Sequence, residues 1–282
     1  MNEKGLILLS IYFLQPILSF WGLSTKRIDT SLLQVPLLYV LLSLGAIIIS
    51  YSIAKFFFTD IKEQSIVTIC VVIGNTGNLG IPLGIALFGE ASIIYTSMIN
   101  VANVFIVYTL GVFFYSRGNF SFKESLYNIV KLPVIWFAFI ALFLNLLGVS
   151  MPQALLKSLE MGAYCTMVIQ LIIFGMYLFN IKLKSINIKL LAHVSVIKFV
   201  ITPLVIYVIL FHLLSLQPMV AVLIYLELIV PLAVTNVNLS ALYDCKPLEV
   251  TSLIFMTSLF FIPFFIGVSY FFNKLGFLGV LV

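Results

Sequence analysis

The residues best equipped for chemistry in this 282-residue chain lie in two stretches whose neighbours are almost all apolar. The first runs Gly74-Asn75-Thr76-Gly77-Asn78-Leu79-Gly80-Ile81-Pro82-Leu83-Gly84, with four glycines, a proline and two asparagines. The second is Pro231-Leu232-Ala233-Val234-Thr235-Asn236-Val237-Asn238. Glycine is costly inside a helix and proline has no N–H to donate, so a helix running through either stretch should break. A break frees N–H groups at one half-helix N-terminus, where anions are favoured, and carbonyls at the end of the other half. The chemistry these parts offer is recognition of a small solute, without covalent change. Asn75, Thr76, Asn78, Pro82, Pro231, Thr235, Asn236 and Asn238 form the candidate substrate-binding set. For any one amide, capping of a half-helix end is the competing role; for the segment, a kink eased by small residues is.

Two ionisable residues stand inside apolar runs and are the candidates for handling a coupling ion. Glu227 lies four residues before Pro231, where a carboxylate at mid-membrane depth is costly and functional by default. Lys198 could neutralise an anionic solute, pair with Glu227, or snorkel to the membrane surface, the last being the favoured reading. Gln15 and Gln170 read as residues that hold helices together. Asn100 and Asn103 either line a site or bond to the first broken stretch. His193 and His212 look like span-end residues. Cys70, Cys165 and Cys245 have no metal spacing, and no metal site or cofactor is expected beyond a proton or sodium ion in a coupling role. Nucleotide-loop, HExxH and GxSxG motifs are absent, so no enzyme is expected.

The elements that position these residues follow from composition. Apolar residues make up 62% of the chain and charged residues only 9%, with a mean hydropathy of +1.21. Soluble domains carry about 25% charged residues, so the solvent here is lipid. Continuous apolar runs, without the period-2 alternation of a barrel strand, predict helices. Nine spans are expected, at 6–21, 32–54, 66–88, 93–115, 132–149, 159–179, 190–214, 219–243 and 250–272. The short connectors leave one membrane domain over residues 1–282. Ten Lys and Arg fall on the side of the N-terminus and four on the other, among them Lys26 and Arg27. The positive-inside rule then puts the N-terminus in the cytoplasm. The net charge of +5 is explained by those loops, and no nucleic-acid partner is inferred.

An offset of 155 residues aligns Ala86-Leu87-Phe88 with Ala241-Leu242-Tyr243, Thr96-Ser97 with Thr251-Ser252, and Gln15 with Gln170. It superimposes a first repeat, about 5–116, on a second, about 159–273. Because the offset spans five crossings, the second copy enters from the opposite side. Inverted repeats with a matched pair of interrupted helices are the architecture of many secondary transporters.

These motifs resemble those of a known family. Gly74-Asn-Thr-Gly-Asn-Leu-Gly-Ile-Pro-Leu83 is similar to the first crossover signature of the auxin efflux carrier family of membrane transport proteins. Pro231-Leu-Ala-Val-Thr-Asn236, with Ala241-Leu-Tyr243, resembles its second crossover. Ile11-Tyr-Phe-Leu-Gln-Pro16 resembles its second helix, and Lys198 before Pro203 resembles the basic residue of its eighth. The resemblance implies an all-α, bile-acid-symporter-like fold in which a panel domain faces a core domain with two crossed, discontinuous helices. Against the family's usual ten helices, the nine spans expected here have no counterpart of the first, which implies either a nine-span variant or a start upstream of Met1, and the sixth span lacks the family's proline before Phe174-Gly175. The resemblance also implies a secondary carrier of small organic anions, such as dicarboxylates or auxin-like carboxylates, working by elevator-type alternating access. The alternatives are a sodium-coupled symporter of the bile-acid type and a non-transporting membrane sensor. Expected partners are a small organic acid, the bilayer and a second copy in a homodimer; the expected location is a bacterial inner membrane.

Overall fold

The computed structural model describes residues 3–24, 32–181 and 186–277. Lys26, Arg27, Lys182 and Lys184, four of the charges used to orient the chain, lie outside the described residues. Within them the chain folds as α1 (Glu3–Ser24), α2 (Gln34–Phe57), α3 (Ile61–Cys70), α4 (76–88) and α5 (93–116). Then come α6 (Phe122–Lys131), α7 (Pro133–Leu146), α8 (Gln153–Phe179), α9 (Ile188–Leu213), α10 (Pro218–Ile229), α11 (Thr235–Leu242) and α12 (Pro247–Lys274). No strand occurs among the described residues; extended backbone pairs at one isolated bridge, between Gly74 and Leu232. This is an all-α polytopic membrane protein.

Six helical stretches are long and apolar enough to cross a bilayer: α1, α2, residues 76–116, α8, α9 and α12. The bent pair α6–α7, with an angle of 55°, makes a seventh when taken as one span. Residues 76–116 amount to 41 residues, about twice what one crossing needs. They divide at Gly89, whose φ of 69° is a left-handed conformation open to glycine and strained for other residues. The expected third and eighth spans each consist of two half-helices, α3 with α4 and α10 with α11. The expected nine crossings are reached when 76–116 is divided at Gly89 and each broken or bent pair is taken as one.

Lipid and protein faces separate along α2. Leu37, Leu41, Leu44 and Ile48 are exposed, at the spacing of one helical face, while Tyr39, Ser43, Ala46, Ser50 and Ala54 are buried. Both faces are apolar enough for a membrane helix, and the small and polar residues turn inward. α10 is the most enclosed element, with every residue from Val220 to Ile229 buried. α1 packs against α7 and α8. A small apolar cluster of Leu23, Ala138 and Ala141 sits between α1 and α7. Asn145 donates to the Leu23 carbonyl at 2.7 Å, and Thr166 to the Leu14 carbonyl at 3.0 Å. The rest of the interior forms a larger cluster drawn mainly from α2–α5 and α9–α12.

Prolines reshape the helices in a recurring way. π-helical turns cover Ser10–Leu14, Thr76–Gly80 and Ile197–Ile201, and each ends two residues before a proline, Pro16, Pro82 or Pro203. Proline gives no N–H to the carbonyl four residues back and its ring crowds that carbonyl. A wider turn just before the ring relieves both problems. Pro263 sits inside α12 without such a turn, and two further π turns, Val107–Gly111 and Ile209–Leu213, have no proline in that position.

Candidate functional site

The site starts where two helices stop. α3 ends at Cys70 and α4 opens with the π turn Thr76–Gly80; α10 ends at Ile229 and α11 begins at Thr235. The two gaps cross and pair with each other. The Asn75 N–H donates to the Pro231 carbonyl at 2.9 Å, and the Ala233 N–H to the Ile73 carbonyl at 3.0 Å. Backbone freed from one helix is therefore satisfied by backbone freed from the other, which makes irregular chain tolerable at this depth.

A cavity of about 460 Å³ opens beside this crossing. One wall belongs to α1 and α8, with Gln15, Ser19, Met167 and Gln170; the other is the crossing itself with Asn100, Asn103 and Tyr108 of α5. Of the candidate residues, Asn75, Thr76, Asn78 and Thr235 line it. No described Asp, Glu, Lys, Arg or His does. Its polar groups are held by a chain of side-chain bonds. Thr76 Oγ1 donates to Asn100 Oδ1 at 2.8 Å and accepts from Asn103 Nδ2 at 2.9 Å. Tyr39 donates to Asn103 Oδ1 at 3.2 Å. The cavity thus offers amides and hydroxyls, together with the N-terminal ends of α4 and α11.

The other four candidates lie off the cavity. Asn236 is fully buried and works as a brace: its Nδ2 donates to the carbonyls of Ile73 at 3.0 Å and Ala233 at 2.9 Å, and its Oδ1 accepts from Tyr115 at 2.8 Å. Asn238 is buried against Ser10 at 3.4 Å. Pro231 contributes its carbonyl to the crossing. Pro82 is exposed, just beyond the π turn. Amides in one short motif therefore divide between lining and bracing.

The ionisable pair also separates. Glu227 is buried, and neither carboxylate oxygen has a hydrogen-bond partner. The carboxyl fills the space that a Cβ on Gly80 would occupy, so any side chain there would have to push the Glu227 carboxyl aside. Lys198 is fully buried and does not snorkel. It forms no ion pair with Glu227 or with any other described carboxylate; its Nζ donates to two main-chain carbonyls, of Val71 at 2.9 Å and Leu228 at 3.0 Å.

Gln15 and Gln170, expected only to hold helices together, both reach the cavity. The Gln15 Nε2 has no hydrogen-bond partner. Their equivalence at the repeat offset is the signal that could have put them in the site.

The sequence profile of a family described as membrane transport protein matches residues 1–268. The chain belongs to this membrane transport protein family, that of the auxin efflux carriers. Its crossed half-helices and the cavity beside them are thus set in an integral membrane protein of a transporter family, whose members are not enzymes. A protein of Methanocaldococcus jannaschii described as an uncharacterized transporter is 25% identical over 261 residues, covering 89% of this chain and 83% of that one.

Proposed function

We propose that this transporter is a secondary carrier of small organic anions and that it binds a carboxylate in the cavity at the crossing of α3–α4 and α10–α11. The observation that carries the proposal is the cavity's lining: amides and hydroxyls of Asn75, Thr76, Asn78, Asn100 and Thr235, no acidic side chain among the described residues, and two half-helix N-termini. Helix N-termini favour negative charge, and uncharged donors bind it without holding it so tightly that release becomes slow. Dicarboxylates and auxin-like carboxylates are the substrate classes put forward. The helices α1, α7 and α8 act as the static panel, and the remaining helices as a core that carries the site across in elevator fashion. The N-terminus is taken as cytoplasmic, in a bacterial inner membrane, with a homodimer as the working assembly. Coupling falls to a proton or a sodium ion, and imposing each gradient separately across vesicles distinguishes them.

Binding is tested by the melting of purified protein against a panel of mono- and dicarboxylates. A ligand present at a hundred times its Kd stabilises the folded state by about 2.7 kcal/mol. The expected result is a rise in Tm with at least one carboxylate that is lost in Asn75→Ala. A rise of equal size in both proteins removes the crossing as the site.

A further inference from the structure

Four half-helix ends meet at the crossing, and they differ in sign. The N-termini of α4 and α11 are positive; the C-termini of α3 and α10 are negative, each equivalent to about half an elementary charge. Lys198 is placed on the negative pair. Val71 is the residue that caps α3, and Leu228 is in the last turn of α10; their carbonyls are the two that Lys198 Nζ reaches, at 2.9 and 3.0 Å. The lysine comes from a third element, α9, at the π turn Ile197–Ile201 that accommodates Pro203. One ammonium placed between two helix C-termini, each of about minus one half, balances them. Carbonyls at unwound half-helix C-termini are also the donors with which inverted-repeat carriers hold a coupling cation.

We propose that Lys198 is a tethered cation: its ammonium occupies the position at the crossing that a free sodium ion would otherwise take. This inference rests on the reading of the crossing as a carrier's site. The crossing then needs no sodium for its stability or its function, which sets aside the sodium-coupled alternative at this position. With the negative ends neutralised from behind, the cavity is left facing the two positive ends, so its preference for anions is built into the backbone. Lys198 touches no cavity surface and acts as a positioning residue.

The test compares melting of wild type, Lys198→Arg, Lys198→Met and Lys198→Ala in sodium chloride and in choline chloride at equal ionic strength, with ethylammonium chloride as a third salt. Wild type is expected to melt at the same temperature in all three. Lys198→Met is expected to melt several degrees lower, because two buried carbonyls lose their donor and the helix ends lose their counter-charge. Lys198→Arg should recover part of that loss. Lys198→Ala, which opens a hole next to the carbonyls, should regain stability in ethylammonium or sodium and not in choline, a response that a side chain serving only to fill space would not give. A wild-type Tm that rises with sodium over choline overturns the proposal, as does a Lys198→Met protein that melts like wild type. Should Lys198→Ala not fold, the wild-type comparison and Lys198→Met still decide. None of these readings uses an organic anion, so a failure to find a carboxylate ligand leaves them untouched.

Discussion

At Thr76 a single hydroxyl organises much of the cavity wall, donating to Asn100 and accepting from Asn103. Thr76→Val keeps the shape and removes both bonds. Each is worth about 1 kcal/mol net to the fold, so the melting temperature should fall modestly. Because both bonds hold amides of the cavity wall, affinity for the carboxylate should fall too, tenfold for about every 1.4 kcal/mol of binding energy lost. Isothermal titration beside melting reads both effects. Asn236→Ala should lower stability alone. It takes one of two partners from each of the Ile73 and Ala233 carbonyls, which keep the N–H groups of Ala233 and Asn236, and leaves the Tyr115 hydroxyl with Cys70, at a cost of about 1 kcal/mol for each bond lost. Its signature is a lowered Tm, with affinity retained by the folded fraction. Equal loss of affinity in both variants would contradict this division of roles. The sequence places all these amides at the right depth because polar residues in apolar runs need a reason. It does not separate liners from braces, since that depends on which gap each amide faces after two distant segments cross. For the same reason Lys198 reads as snorkelling from sequence. Its partners are main-chain carbonyls 127 and 30 residues away, and carbonyls leave no mark on the residue pattern.

Among the elements, the two broken helices are legible from glycine and proline; the first break falls upstream of its proline, while Pro231 lies within the second. Pro82 begins regular helix after a π turn, and the chain is irregular at 71–75. Proline acts on the turn before it, so its position marks the end of the disturbance. The start of α3 and the chain just after α11 are also tied together by an ion cluster. Lys246, in a left-handed conformation at φ 47°, reaches Asp60 at 2.6 Å and Glu63 at 2.8 Å. Lys62 meets Asp244 at 3.3 Å. Partial burial works against the charged form of Asp60, but the Lys246 ammonium and the Lys62 N–H hold its carboxyl below the ordinary value. Burial opposes Lys246 likewise, and Asp60 and Glu63 more than compensate, holding it above its own. The depressed Asp60 contributes stability that is present above its unfolded pKa, near 4, and is lost as pH falls through the folded value. The raised Lys246 contributes below its unfolded pKa, near 10.4, and that contribution is lost as pH rises through the folded value. The cluster is therefore closed across the neutral range and opens at both extremes. Hydrogen exchange at the amides of residues 243–245, which bond back into α11, should be slow at neutral pH and faster in Lys246→Ala. Unchanged exchange in that variant would show that the cluster does not hold the loop.

For the molecule as a whole, composition alone settles the class, since a chain with 9% charged residues has no surface suited to water. The cavity is not legible in the sequence, because its walls come from two groups of helices that approach each other only in the folded protein. α1 and α8 bring Gln15 and Gln170; the crossing and α5 bring the asparagines. A site shared between two bodies is what alternating access requires, because sliding one past the other changes the side to which the cavity opens. Under the proposed function, amides in place of fixed charges suit a site that must release its cargo at the end of each movement. The most direct measurement is uptake of a radiolabelled carboxylate, one that stabilises the protein, into proteoliposomes preloaded with the same compound. Wild type is predicted to show counterflow, with a fall of about tenfold or more in Asn75→Ala at equal reconstitution. Counterflow that proceeds undiminished in Asn75→Ala would contradict the central claim that the crossing of the two broken helices is where the solute is carried.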